Sequence, residues 1–156
     1  MIGRLAAAAV ALSVSAAALP GAASPRASAC KPTASSYGPF NTSGAASPRR
    51  SKIGTGHVLS GRVLRYPGCS PVPGALVDFW QESPNGVYER RGRGSVVTGT
   101  SGAFRFQGPV PPAEGGRPSH IHVRVTAPGY REVVTTYFLR RGERTGRLTI
   151  VLISEL

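Results

Sequence analysis

From Gly56 onward the sequence predicts an all-β domain, an antiparallel β-sandwich of about six to eight short strands, with a small barrel as the other closed arrangement. Three observations point there. Short β-prone runs recur at regular spacing, separated by turns rich in Gly, Pro, Asn and Ser. No segment holds a helical hydrophobic period over about ten residues. The stretch His120-Ile121-His122-Val123-Arg124-Val125 alternates polar and apolar residues, as a strand with two different faces does.

The first run is His57-Val58-Leu59-Ser60-Gly61-Arg62-Val63-Leu64, closed by a turn at Tyr66-Pro67-Gly68-Cys69-Ser70-Pro71. Ala75-Leu76-Val77-Asp78-Phe79-Trp80-Gln81 follows and stops at Ser83-Pro84-Asn85-Gly86. Phe79 and Trp80 face opposite sides of this run, so one of them belongs to the core. Gly102-Ala103-Phe104-Arg105-Phe106 is short, alternating and flanked by Gly. The histidine strand covers residues 119–126. Val133-Val134-Thr135-Thr136-Tyr137-Phe138 and Leu148-Thr149-Ile150-Val151-Leu152-Ile153 complete the set, and no internal repeat is evident.

The chain length fits one domain with a non-globular start. Residues 1–29 hold no acid and two bases, Arg4 and Arg26, around the apolar run Leu5–Leu19, with small residues downstream at Gly21-Ala22-Ala23 and Ala27-Ser28-Ala29. That run is too short for a bilayer span and reads as a secretory signal, the alternative being an uncleaved anchor. Residues 30–55 are rich in Ser, Pro, Gly, Ala and Thr and read as a flexible arm before the domain of residues 56–156. After export only Cys30 and Cys69 remain, an even pair suited to a disulfide. Lipidation of Cys30 is the competing expectation, although the large aliphatic residue usual before a lipoprotein cysteine is absent. The whole chain carries a net charge of +12, and without residues 1–29 it keeps 17 basic against 7 acidic residues, a net +10. The bases are scattered as Arg49-Arg50, Arg90-Arg91-Gly92-Arg93 and Arg140-Arg141, without interleaved aromatics or a nucleic-acid module. A biased composition accounts for them. Neither nucleic acid nor, after signal removal, a membrane is expected as a partner, and the oligomeric state is left open.

Two of the three histidines, His120 and His122, lie two residues apart on one strand face. Their Cβ atoms are then roughly 6.5–7 Å apart. That lets both rings reach one metal ion with nitrogens about 2.0–2.1 Å away. A solvated strand face shared with Arg124 is the plainer alternative. His57 is covered by no motif and is read as structural or exposed.

Taken together, Val72-Pro73-Gly74-Ala75-Leu76-Val77-Asp78-Phe79-Trp80-Gln81, Asn85-Gly86-Val87-Tyr88, Arg91-Gly92, Gly102-Ala103-Phe104-Arg105-Phe106 and Arg117-Pro118-Ser119-His120-Ile121-His122 resemble the intradiol ring-cleavage dioxygenases, the family of protocatechuate and catechol dioxygenases and of short secreted members. The resemblance runs from about Gly61 to Phe138. It implies a β-sandwich holding mononuclear non-haem Fe(III), with Tyr88, His120 and His122 as the matched ligands. It further implies cleavage of a catechol-type aromatic by O2 to a cis,cis-muconate-type diacid, with Arg117 stabilising charge that builds on the ring. Two places depart: the family's Thr-Asp before the Gly of the preceding hairpin is altered, to Thr98-Gly99-Thr100-Ser101-Gly102, and a second departure bears on the metal. The family's second tyrosine ligand precedes the histidine segment, where this chain reads Pro109-Val110-Pro111-Pro112-Ala113-Glu114-Gly115-Gly116. An ungapped count places Glu114 there, and one gap places Ala113. The fourth ligand is therefore open between Glu114, water and a distant Tyr130 or Tyr137. A scaffold-derived module without catalysis is the alternative function.

Overall fold

The structure, a computed structural model, describes residues 30–36 and 47–155. The expected signal segment and residues 37–46 of the arm lie outside the described residues. Eight strands follow in order: β1 (His57–Tyr66), β2 (Ser70–Pro71), β3 (Leu76–Glu82), β4 (Tyr88–Val97), β5 (Ala103–Gly108), β6 (His120–Thr126), β7 (Val133–Phe138) and β8 (Thr145–Ile153). They form two sheets, one ordered β4-β3-β6-β7 and the other built on β1. β1 is long enough to take β8 along one edge and, along the other, β5 with its first half and β2 with its second. The sandwich is thus the expected one with a single variation, since β8 runs parallel to β1.

The apolar positions of the alternating runs meet between the sheets. Leu59, Val63, Phe104, Phe106, Ile150 and Leu152 come from one sheet, and Val77, Phe79, Ile121, Val123 and Val125 from the other. Phe79 stacks on Phe106 across the gap, with ring centres 4.4 Å apart and planes 8° from parallel. Burying such a ring contributes about 1.5–3 kcal/mol. Close packing explains Gly61, where a Cβ would overlap the Leu148 carbonyl oxygen and stand 2.7 Å from Phe104 Cζ.

The described parts of residues 30–55 are not a loose arm. Cys30 is bonded to Cys69 with Cα atoms 5.6 Å apart, and closing a loop of this size contributes about 3–4 kcal/mol. That bond occupies the sulfur that lipidation of Cys30 would need. Thr33 N donates to Val151 O at 3.0 Å, and Ser36 N to Val134 O at 2.7 Å. Further on, Ser95 N donates to Pro48 O at 2.9 Å and Ile53 N to Gln107 O at 2.8 Å. Residues 47–53 therefore cover the free edges of β4 and β5, where unpaired backbone groups would otherwise be exposed.

Candidate metal centre

The site lies on the outer face of the β4-β3-β6-β7 sheet. Because β6 alternates, His120 and His122 leave the core face to Ile121 and Val123 and turn outward. Trp80 pairs with His122 across β3 and β6, and Tyr88 pairs with Glu82 across β3 and β4. All four share the histidine face. The loop before β6 adds Glu114, held by a tight hairpin in which Arg117 N donates to Glu114 O at 2.7 Å and Glu114 N to Arg117 O at 3.1 Å. The two residues between them, Gly115 and Gly116, both take positive φ, 51° and 79°. A two-residue type I′ loop requires that.

These elements bring four donor atoms together. Tyr88 Oη stands 3.3 Å from His120 Nε2, 3.2 Å from His122 Nε2 and 3.1 Å from Glu114 Oε2. Glu114 Oε2 is 3.6 Å from His120 Nε2. Donors held about 2.0–2.1 Å from one ion in a tetrahedral array stand about 3.3–3.4 Å from one another, so the spacing fits a shared metal. No group of three or more His, Cys, Asp or Glu side chains by themselves could hold a metal among the described residues. The convergence depends on the Tyr88 phenol.

Hydrogen bonding behind the rings sets their orientation. His120 Nδ1 lies 2.8 Å from the Pro118 carbonyl oxygen, which only accepts, so Nδ1 carries the proton and Nε2 presents its lone pair. His122 Nδ1 lies 3.2 Å from Thr136 Oγ1. Trp80 stacks on the His122 ring at 5.2 Å and 15°, and both are fully buried. Burial, then the neighbouring His120 and Arg117, push the His122 pKa down to about 4, which keeps it neutral. Burial first, and then the hydrogen bond and charge of Glu114, hold the Tyr88 phenol well above its usual range. Burial and Glu114 likewise raise the Glu82 carboxyl. The phenol oxygen thus faces two ring nitrogens and a carboxylate oxygen. A bound cation would take lone pairs from both rings and the carboxylate and make the phenolate accessible, so the residues present fit a metal.

Each expected residue can now be placed. Tyr88, His120 and His122 come together, and Glu114 joins them. Arg117 is at the rim with its guanidinium carbon 5.7 Å from the centre of the Phe138 ring, and Phe138 is exposed. Neither distant tyrosine is at the site. Tyr137 pairs across β6 with inward-facing Ile121 and bonds to Glu143, and Tyr130 packs against the core. His57 is buried elsewhere. Sequence reasoning did not assign Trp80, Thr136 or Glu82 to the site. The strand alternation shared by Trp80 and Glu82 was the available signal for two of them.

The model of the family described as Dioxygenase matches residues 31–145. The chain belongs to the intradiol ring-cleavage dioxygenase family. Among its relatives, a 6-chlorohydroxyquinol 1,2-dioxygenase of Cupriavidus pinatubonensis is 33% identical over 140 residues, covering 69% of this chain and 50% of that protein. A hydroxyquinol 1,2-dioxygenase of Rhizobium sp. is 32% identical over 108 residues, 52% of this chain and 36% of the relative. The chain spans about half the length of the first of these curated relatives. Among solved structures, the dioxygenase domain of a dioxygenase–carbohydrate-binding protein fusion from the cellulolytic bacterium Streptomyces sp. SirexAA-E superposes with a TM-score of 0.69 at 27% identity, over 80% of this chain and 100% of that domain. A hydroxyquinol 1,2-dioxygenase from Pseudomonas putida, at 23% identity and TM-score 0.64 over 84% of this chain and 68% of its own, shares the fold.

Proposed function

We propose that this member of the intradiol family is an exported iron dioxygenase that cleaves catechol-type aromatics with O2 to cis,cis-muconate-type diacids. The observation that carries this reading is the meeting of Tyr88 Oη, His120 Nε2 and His122 Nε2 within 3.2–3.3 Å around a single phenol proton. These atoms would hold ferric iron, which when bound would supply the electron-withdrawing centre that prepares a catechol ring for O2. The protein supplies the rest. Two neutral imidazoles and one phenolate make a donor set of low charge, and phenolate favours the ferric state. Trp80 seals the back of His122. The exposed Phe138 ring gives an aromatic substrate an apolar wall, and Arg117 above it offers a fixed positive charge where negative charge develops. Export is supported by the short apolar run of residues 5–19 and by the Cys30–Cys69 disulfide, which persists in oxidising compartments.

The loss of the family's second tyrosine favours a second reading, a scaffold without catalysis. One experiment separates the two. Mature protein is loaded with iron, assayed for metal by elemental analysis and for O2 consumption with catechols. The expected result is bound iron and ring cleavage, with His120→Ala and His122→Ala each losing most of the iron and His57→Ala keeping it. Protein that takes up iron yet leaves every catechol intact supports the non-catalytic scaffold.

A further inference from the structure

We infer that Glu114 is the fourth protein donor of this centre, so that a carboxylate stands where the family has its second tyrosinate. The inference rests on the metal-binding part of the proposed function, and it concerns a position at which this chain leaves the family pattern. The plain alternative is that Glu114 is one more exposed acid on a loop. Three observations argue against that. Its carboxylate is turned inward, with Oε2 at 3.1 Å from Tyr88 Oη and 3.6 Å from His120 Nε2, and the side chain is only 28% exposed. Its backbone is fixed by both hydrogen bonds of the Gly115-Gly116 hairpin, so the turn sets where the side chain leaves the chain beside the cluster. Finally, it points into the cluster, at the Tyr88 hydroxyl, His120 Nε2 and buried Glu82, although Arg117 sits directly across the same hairpin with its guanidinium over Phe138. A carboxylate turned into a cluster of two ring nitrogens and a phenol, instead of toward the neighbouring guanidinium, is arranged for a cation among them.

The chemistry changes with the donor. Two histidines and a carboxylate are the set that holds Fe(II) in many non-haem oxygenases, whereas phenolate favours Fe(III). The set His120, His122, Tyr88 and Glu114 combines the two. With one phenolate where the family has two, the ferric form is less strongly favoured and only one tyrosine contributes to the visible absorption.

The test compares wild type, Glu114→Ala, Glu114→Tyr and Tyr88→Phe as disulfide-intact mature proteins. Iron affinity is measured by chelator competition, together with the visible spectrum and the reduction potential. Loss of a group behind a ligand costs about 10–100-fold in metal affinity, so removing a direct donor in Glu114→Ala is expected to cost at least that. Unfolding of the iron-free variant should stay as in wild type. Glu114→Tyr should recover binding, intensify the tyrosinate absorption and lower the potential. Tyr88→Phe should abolish the absorption. Wild-type affinity and spectrum in Glu114→Ala would overturn the assignment. A wild type that binds iron through Glu114 but cleaves no catechol would leave the assignment standing and overturn the enzymatic reading alone. A wild type that binds no iron would overturn both.

Discussion

Along β6, Ile121, Val123 and Val125 point into the sandwich while His120, His122 and Arg124 point away from it, and apart from Arg124 both sets are buried. β3 divides in the same way, with Val77 and Phe79 inside and Asp78, Trp80 and Glu82 outside, all buried. Inside, burial is favourable in itself, because apolar surface leaves water. Outside, it is unfavourable unless each polar group finds a partner. Asp78 finds Arg124 at 2.8 Å, His120 finds Pro118 O and His122 finds Thr136. Among the described residues the indole N–H of Trp80 finds none, and Tyr88, His120, His122 and Glu114 turn their polar atoms toward one another. The inner face holds the sheet in place, and the outer face uses that rigidity to keep four donor atoms together.

If the faces are separable in this way, a change on one should leave the other intact. Phe79→Ala removes a fully buried ring stacked at 4.4 Å on Phe106. The expected loss is about 3–5 kcal/mol of folding stability, the largest effect on either face. It is read by chemical denaturation of iron-free protein with the disulfide intact. Iron bound per folded molecule should stay at the wild-type level. A fall in iron per folded molecule would show that core packing sets the donor positions directly.

The same contrast governs what was legible in the sequence. Strands whose inner residues are apolar, such as β3 and β6, stood out by alternation. β4 did not. Its first half reads Tyr88-Glu89-Arg90-Arg91-Gly92-Arg93-Gly94, an edge strand whose pairing with β3 is carried by backbone groups and covered by Arg50, which donates to the carbonyls of Arg90 and Arg93. Hydrophobic period has nothing to register there. Likewise Ser, Pro and Gly in residues 30–55 suggested a flexible arm, but composition is blind to a disulfide anchor and to open sheet edges that accept extra backbone bonds. At the site, the histidine pair followed from spacing, whereas Tyr88 rested on the family resemblance. The placement of Glu114 depended on a turn conformation that the Gly115-Gly116 pair permits without dictating.

Arg117 tests the outer face alone. Arg117→Lys keeps the charge and loses the planar fork that the Phe138 ring supports. Turnover on the best catechol is expected to fall about 10²–10³-fold, the effect of losing one preorganised charge-stabilising donor. Iron content should be unchanged, and stability should move by no more than about 0.5 kcal/mol, as for other surface substitutions. Unchanged turnover would remove Arg117 from the chemistry and leave it as a rim residue.

The smallest expected effect comes from the third histidine, which sharpens the comparison because it is buried away from the Tyr88 cluster. His57 opens β1, is 2% exposed, and neither ring nitrogen has a hydrogen-bond partner among the described residues. Burial lowers its pKa from the ordinary value of 6.5, partly opposed by the charge of Glu143. In the folded protein it therefore stays neutral at a pH where the unfolded chain begins to take up a proton. Below about pH 6.5 the unfolded state binds more protons, so stability falls as pH drops, with a slope of at most about 1.4 kcal/mol per pH unit for one group. Above that pH the contribution is fully present. His57→Phe keeps an aromatic ring beside Tyr137, whose centre is 6.0 Å away, and cannot titrate. Denaturation of iron-free wild type and His57→Phe between pH 7.5 and 5 should therefore give a shallower decline for the variant. Parallel declines would mean that His57 is solvated or paired when protonated, and that its burial carries no electrostatic penalty.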